Sequence, residues 1–441
     1  MGRRQTPASF SPAVLARQLR GAPGIGRWLV GFSGGADSTA LLHALVQLDG
    51  LGRELLAVHV HHGLQPQADA WADICAAVAA RHGVPFRLER VAVAAQGQGP
   101  EAAAREMRYA ALAACMAPGD VLLTAHHRGD QAETLLLQLL RSAGPAGLAG
   151  MPQWAPFARG WHARPLLNQP KDALLSYLVE HGVSWLEDPS NQALEADRNY
   201  LRHRILPALQ ARWPAVERSL ANAARLQADA LELTVALGRQ DAHVAAGDEP
   251  GTLSVGALRR LKRSRLHNVL RVWIADKGLP LPPANRLEQV RTDVLEASTD
   301  AQPRLCWSGA ELRRYRDALY AMAPLPPHDP TQVYVWPAGR MTLALPGSER
   351  GLSTADLRTD LRRVRAPVTI RFRRGGERCR IQGEPHTRAL KTLLQNAGVP
   401  PWVRDRIPLL YVGDHLREVI GYWVCAAPAD EFSNPSEDID T

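Results

Sequence analysis

Short apolar runs recur through the first half of the chain, each followed by a stretch with helical periodicity. Residues 28–32, 55–60, 86–91 and 121–125 read as strands, and residues 36–47, 68–81, 101–116 and 131–140 as the helices between them. Strands alternating with helices of this length predict βαβ units and a parallel sheet, hence an α/β domain over residues 1–215. Ligands of such sheets bind beyond the carboxyl ends of the strands, where the strand order reverses.

The pattern changes near residue 216. Residues 217–236 and 258–275 are long helical runs, a second helical pattern covers 285–295, and strand-like stretches lie near 303–307 and 318–321. Residues 216–330 are therefore expected to form a mainly helical domain. The Pro-rich segment 323–330 reads as a linker to a small α+β domain over 331–441, closed by an acidic, polar tail at 430–441 expected to be disordered. No internal repeat is visible.

A chain of 441 residues is long for one core and suits two or three domains. The net charge of +8 is carried almost wholly by arginine, since Lys171, Lys262, Lys277 and Lys391 are the only lysines. Arginine's planar fork suits phosphate recognition, although a biased overall composition would produce the same balance. Cys75, Cys115, Cys306, Cys379 and Cys425 are scattered and odd in number, with no C-x-x-C spacing, which argues against a disulfide framework or a zinc site. No signal peptide or spanning stretch is recognisable, so a cytoplasmic protein without membrane contact is expected.

The chemistry concentrates at two strand ends. The first strand runs into Ser33-Gly34-Gly35-Ala36-Asp37-Ser38-Thr39 and then a helix. A helix N-terminus offers unpaired N–H groups to phosphate, and glycines let the backbone approach closely. Ser33, Ser38 and Thr39 add hydroxyls. Asp37 beside phosphates implies an intervening cation such as Mg²⁺. The lysine of the other common phosphate loop is absent. A Gly-rich turn of another α/β fold is the plainer alternative.

The second block, Thr124-Ala125-His126-His127-Arg128-Gly129-Asp130-Gln131-Ala132-Glu133, ends the fourth strand. Asp130 and Glu133 share a helix face and suit Mg²⁺ or the ammonium of a small substrate, or else simply complement the helix dipole. His59, His61 and His62 invite a zinc reading but lack a fourth ligand at sensible spacing. Arg259, Arg260 and Arg263, with Arg371, Arg373 and Arg374 around Phe372, form acid-free basic runs suited to RNA phosphates and base stacking, or to a solvated face.

The first block resembles the S-G-G-x-D-S signature of PP-loop ATP pyrophosphatases, the adenine nucleotide α-hydrolase-like fold. The second resembles the A-H-H-x-x-D-Q-x-E-T element of tRNA(Ile)-lysidine synthetases. That family is matched again by His59-Val60-His61-His62-Gly63-Leu64, by Glu101 to Tyr109 with Arg105 and Arg108, and by Gly147 to Pro152. Further matches are Glu187-Asp188-Pro189-Ser190-Asn191 with Arg198-Asn199-Tyr200-Leu201-Arg202, and Gly375-Gly376-Glu377, 390–394 and 400–409 near the end. The likeness covers nearly the whole chain and is weakest over 216–330. Where the family commonly shows two adjacent acids before the glutamine, this chain has Gly129 and Asp130.

The resemblance implies a two-step ligation. ATP adenylates the C2 oxygen of the wobble cytidine in the CAU anticodon of tRNA(Ile), and the amine of free lysine displaces AMP to give lysidine. It implies that Ser33 to Thr39 cradle ATP with Asp37 reaching Mg²⁺, that His59 lies near the adenine, and that His126, Asp130 and Glu133 line the joint ATP and lysine site. Arg105 would offset phosphate charge or orient the lysine carboxylate. Arg198, Arg202 and Arg204 would contact RNA or brace Asp188, and the later basic domains would grip the tRNA. A homodimer is one possible assembly. The rival readings are a PP-loop tRNA thiolase, which the absence of a cysteine pair disfavours, and a tRNA-binding protein without catalysis, motivated by Gly129.

Overall fold

The computed structural model describes residues 9–48, 52–63, 67–91, 100–189, 196–298, 301–345, 351–364 and 366–426. The acidic tail at 430–441 lies outside them. The chain divides into two compact units, Met1–Thr234 and Val235–Thr441.

In the first unit a leading helix α1 (Pro12–Leu19) precedes β1 (Trp28–Gly31), α2 (Ala36–Val46), β2 (Leu55–His61), α3 (Ala68–Arg81), β3 (Phe86–Arg90), α4 (Pro100–Ala114), β4 (Val121–Leu123) and α5 (Arg128–Leu140). There follow α6 (Pro145–Leu148), β5 (Trp154–Phe157), β6 (Gly160–Ala163) and α7 (Lys171–Glu180). The sheet order is β3-β2-β1-β4-β6-β5. β1 pairs in parallel with both β2 and β4, so the chain builds outward to β3 and then crosses back to the other side of β1. This reversal opens a crevice beyond the carboxyl ends of β1 and β4. It is where both sequence blocks begin.

The β5–β6 hairpin was not anticipated. Its strands are antiparallel, and β5 carries Pro156, which an edge strand tolerates because no neighbour needs its missing N–H. The sheet is sealed on one face by α2 and α7, whose Leu41, Leu45, Leu174 and Leu178 are buried with Val30, Phe32 and Leu123. Leu29, Val58, Leu112 and Leu122 form a smaller cluster. After α7 come a short helix α8 (Asp197–Tyr200), a π-helical turn over Leu201–Ile205 and α9 (Leu206–Arg212). Pro207 has no N–H to give to the preceding turn, which accounts for the wider local winding.

The division between units falls within the long helix Val216–Val244. The second unit is less helical than its periodicity suggested. Helices Arg263–Asp276 and Ala284–Gln289 pack with a four-stranded antiparallel sheet built from Leu253–Ser254, Ala318–Met322, Ala310–Tyr315 and Arg304–Trp307, around Leu266, Leu270, Ile274 and Leu312. A five-stranded sheet with helix Leu390–Asn396 follows. Cys379 and Cys425 are joined by a disulfide. This corrects the inference from cysteine spacing: an antiparallel bridge between Ile381 and Cys425 brings together two segments that sequence distance separates.

Candidate active site

The two blocks meet at the crevice. Gly34 has φ +79°, and a Cβ there would stand 2.7 Å from Leu186 Cδ1 and 2.8 Å from Cys75 Sγ, so both backbone shape and space require glycine. Leu186 N–H donates to the Gly34 carbonyl at 2.9 Å, pinning the loop to the segment after α7. Gly35 caps α2 with no side-chain hydrogen bond, leaving the first N–H groups of that helix for a ligand. Ser33 Oγ and Ser38 Oγ are 3.0 Å apart, and Ser38 Oγ donates to the Gly35 carbonyl at 3.0 Å. Thr39 does not act as expected of a phosphate donor: it is 3% exposed and its hydroxyl donates to the Gly34 carbonyl at 3.1 Å, shaping the loop from within.

A cavity of about 560 Å³ lies over this loop. Of the expected residues, Ser33, Asp37, Ser38, His59, Arg105, His126, Asp130 and Arg198 line it. Gly34, Gly35, Ala36, Thr39 and Glu133 are not part of its wall. Asp37 Oδ1 is buried and has no hydrogen-bond partner among the described residues. Burial raises the Asp37 pKa, opposed by His127 and Lys171. His59 is held by a hydrogen bond between Nδ1 and the Phe32 carbonyl at 2.9 Å, and burial lowers its pKa. Among the described residues no group of three or more histidines, cysteines or acids is arranged to hold a metal. His61 instead faces Asp69 at 3.3 Å.

Helix α5 starts with a capping box. His127 is the N-cap, its Nδ1 accepting from Gly129 N–H at 3.0 Å, while Asp130 Oδ2 accepts from His127 N–H at 2.9 Å. Burial works against ionisation of Asp130, but His127 and the other donors outweigh it and lower its pKa. Glu133 is 1% exposed, and burial raises its pKa against the pull of Arg202. Gly129 is buried, and a Cβ there would sit 2.8 Å from His127 Cε1 and 3.7 Å from Glu217 Oε1. The place of the family's extra acid is thus tightly enclosed, with the Glu217 carboxylate beside it.

Arg198 and Arg202, expected to contact RNA or brace Asp188, both pair with acids of α5, and Arg198 lines the cavity together with Asp188. Arg202 Nε donates to Glu133 Oε1 at 2.7 Å and its Nη2 to Asp130 Oδ1 at 3.0 Å. Arg198 Nε lies 3.1 Å from Glu133 Oε2, and its Nη2 donates to Thr134 Oγ1 at 2.7 Å. Arg198 reaches α5 from α8 and Arg202 from the π-helical turn that follows, and the buried Glu133 demands both. Arg204 is exposed. Arg105 lies over the Tyr109 ring at 5.2 Å, and the side chain of Glu101, its expected neighbour, lies outside the described residues.

Sequence reasoning assigned no role to His127, Thr124, Arg108 or Tyr109. Arg108 and Tyr109 line the cavity one turn beyond Arg105 and Ala104, so helical spacing alone could have placed them there. Burial lowers the pKa of Arg108.

In the second unit the basic runs are largely engaged. Arg259 Nε donates to the Leu295 carbonyl at 2.8 Å and Arg263 Nε to Glu288 at 2.7 Å, whereas Arg260 is exposed. Arg371 lies 4.4 Å over Tyr411, Arg373 pairs with Asp405 at 2.7 Å, and Arg374 Nε donates to the Pro330 carbonyl at 3.1 Å. Phe372 is not available for base stacking. Strand alternation turns it inward, where it is 8% exposed against His328 and Tyr334.

With this geometry in place, the relatives decide the family. The PP-loop domain family matches residues 14–209, the TilS substrate binding domain 253–320 and the TilS substrate C-terminal domain 368–439. The tRNA(Ile)-lysidine synthase of Alkalilimnicola ehrlichii is 43% identical over 420 residues, covering 92% of each chain. Those of Methylococcus capsulatus and Coxiella burnetii are 43% and 38% identical, over 92% and 94% of this chain and 93% of each relative. The chain belongs to the tRNA(Ile)-lysidine synthase family.

Membership makes it an ATP-using enzyme of tRNA modification, and neither sulfur transfer nor loss of catalysis is favoured. The U34-tRNA thiolase NcsA from Methanococcus maripaludis is a structural likeness at TM-score 0.40 and 17% identity, over 49% of this chain and 78% of that one. Cys75 and Cys115 are buried, which pushes their thiols up to about 12 and about 11. No described helix is long and apolar enough to cross a membrane.

Proposed function

We propose that the cavity joins ATP, free lysine and the wobble cytidine of a tRNA(Ile) bearing a CAU anticodon. ATP adenylates the cytosine C2 oxygen with release of pyrophosphate, and the ε-amine of lysine then attacks C2 and expels AMP. The C2 carbonyl is a poor electrophile, and an AMP leaving group corrects this. The observation that carries the proposal is the meeting, at one strand-order reversal, of an open helix N-terminus after Gly35 and a carboxylate cluster at the start of α5.

Ser33 to Ser38 would hold the phosphates through hydroxyls and α2 N–H groups. The partnerless Oδ1 of Asp37 fits a divalent cation held jointly with phosphate oxygens, as Mg²⁺ is when the protein supplies one or two carboxylates. When bound, Mg²⁺ would supply charge neutralisation at the phosphates. His59 lies on the adenine side. Arg105 and Arg108 offer cations to phosphate or to the lysine carboxylate. Asp130, with Glu133 behind it, would draw the lysine ammonium and receive its proton, while Arg198 and Arg202 hold these acids in place.

We assign residues 1–215 to catalysis, and 216–330 and 331–441 to holding the tRNA body, with Arg204 and Arg260 as exposed cations available to RNA. A cytoplasmic setting and a possible homodimer fit a tRNA substrate.

The test is incubation with tRNA(Ile) CAU transcript, ATP, Mg²⁺ and labelled lysine. Label in the RNA, dependent on ATP, is expected; a folded protein that binds the transcript yet incorporates none would refute the proposal.

A further inference from the structure

A chain of four polar side chains leads away from the cavity through the sheet. His126 lines the cavity, and its Nδ1 lies 2.8 Å from Thr124 Oγ1. The same oxygen lies 2.8 Å from His162 Nε2, and His162 Nδ1 lies 3.1 Å from Arg164 Nη2. The sheet dictates this arrangement. Leu122 is paired with His162 and Leu123 with Ala163, and Thr124 N–H donates to the Ala163 carbonyl at 3.1 Å. Side chains alternate along a strand, so Thr124 rises on the face that His162 occupies next door. His162 is 3% exposed and packed between the rings of Tyr109 and Phe157, with centroids 5.6 and 5.7 Å away. Arg164 is anchored by its Nη1, which donates to the Pro152 carbonyl at 2.8 Å.

The chain has a direction. A guanidinium can only donate, so His162 Nδ1 accepts, and a neutral His162 carries its proton on Nε2 and gives it to Thr124 Oγ1. The threonine hydroxyl has one proton to give, and His126 Nδ1 is the acceptor beside it. His126 then carries its own proton on Nε2. The opposite arrangement, with Nδ1–H of His126 donating to Thr124, would leave the hydroxyl proton without an acceptor among the described residues. Both rings stay neutral at ordinary pH: burial, reinforced by the nearby arginines, lowers each to about 3.

We propose that Thr124, His162 and Arg164 are positioning residues that lock His126 as a neutral Nε2–H donor, so that His126 gives a hydrogen bond to a substrate oxygen and does not take the proton of the attacking amine. This rests on the assignment of the cavity to ATP and lysine. Proton removal then falls to the carboxylates.

The test uses the full chain labelled with nitrogen-15 histidine, the His126 signals being assigned by difference from His126→Gln. The expected result is a His126 ring protonated on Nε2 at neutral pH. Thr124→Val should release that tautomer and lower kcat for lysine ligation by roughly ten- to a hundredfold, the range typical when the partner that orients a functional imidazole is lost, with KM for ATP little changed. Thr124→Ser should restore both. If Thr124→Val does not fold, Arg164→Met should shift the His126 signals the same way. A wild-type His126 protonated on Nδ1 or on both nitrogens overturns the proposal. So does a folded Thr124→Val variant with unchanged tautomer and kcat. A wild-type chain that shows the Nε2–H tautomer but never ligates lysine would refute the proposed reaction while leaving the lock established.

Discussion

His127 Nε2 stands 3.8 Å from Asp37 Oδ2, so the cap of α5 faces the acid of the phosphate loop across the strand-order reversal. The same nitrogen is 3.6 Å from Asp130 Oδ2. Because His127 Nδ1 accepts the Gly129 N–H, a neutral ring carries its proton on Nε2, directed at both carboxylates. The two halves of the site thus approach one another through the His127 ring.

Asp37→Ala should stop pyrophosphate release, with a loss of roughly a hundredfold or more in kcat, the scale for removing an electrostatic group at a reacting centre. Binding of tRNA should remain within about twofold of wild type, because Asp37 sits at the phosphate loop and brings no positive charge to an RNA backbone. Parallel pyrophosphate and filter-binding assays check this. Equal loss of both would mean that Asp37 supports the fold.

Gly34→Ala should lower stability by about 1–3 kcal/mol, combining a left-handed backbone with contacts under 3 Å to Leu186 and Cys75. ATP turnover should fall further than stability alone explains, since the loop itself must shift. Urea unfolding together with turnover measured well below the melting temperature separates the two effects.

Arg202→Met should destabilise the protein by about 3–5 kcal/mol, because Glu133 would remain buried with much of its compensation removed. A residue acting only in RNA contact would instead weaken tRNA affinity at unchanged stability. Thermal unfolding without RNA distinguishes these outcomes.

Stability should fall as pH drops below about 6.5, the ordinary histidine value. His162 is held down to about 3 by burial, with Arg164 and other cations adding to the effect. Between those values the unfolded chain binds a proton that the folded chain refuses, so acid favours unfolding; at about pH 5 this one ring accounts for about 2 kcal/mol. Asp37 and Glu133, with raised pKa values, act in the opposite direction nearer the carboxylate range. Urea midpoints for wild type and His162→Gln across this interval test the assignment, the variant showing the shallower slope.

The strands at Trp28–Gly31, Leu55–His61 and Val121–Leu123 were legible as apolar runs ending in unusual chemistry, and Phe86–Arg90 by its alternation of apolar and charged residues. The hairpin at Trp154–Phe157 and Gly160–Ala163 was hidden by Pro156, which the edge strand permits, and by Gly160, where a Cβ would collide with the Asp120 carbonyl oxygen. The strand Ala310–Tyr315 was hidden by its charges. Glu311 is fully buried there, held by Arg304 at 2.7 Å and Arg313 at 2.8 Å, so polar letters occupy core positions. In the site, Asp37, His126 and Asp130 could be named from motif position, but charge pairing could not. Nothing in the spacing of Arg198 and Arg202 shows that they face α5, because the acid that pairs with both, Glu133, lies far earlier in the chain.

The hydrogen bond from Leu186 to Gly34 gives the phosphate loop a timetable. During synthesis the loop leaves the ribosome long before the segment that pins it, so its native curvature rests on its own short-range hydrogen bonds alone until residue 186 has also emerged. Nucleotide capture is therefore a late acquisition of the nascent chain, and a ribosome-bound fragment ending short of that residue should hold the sequence of the loop without its grip.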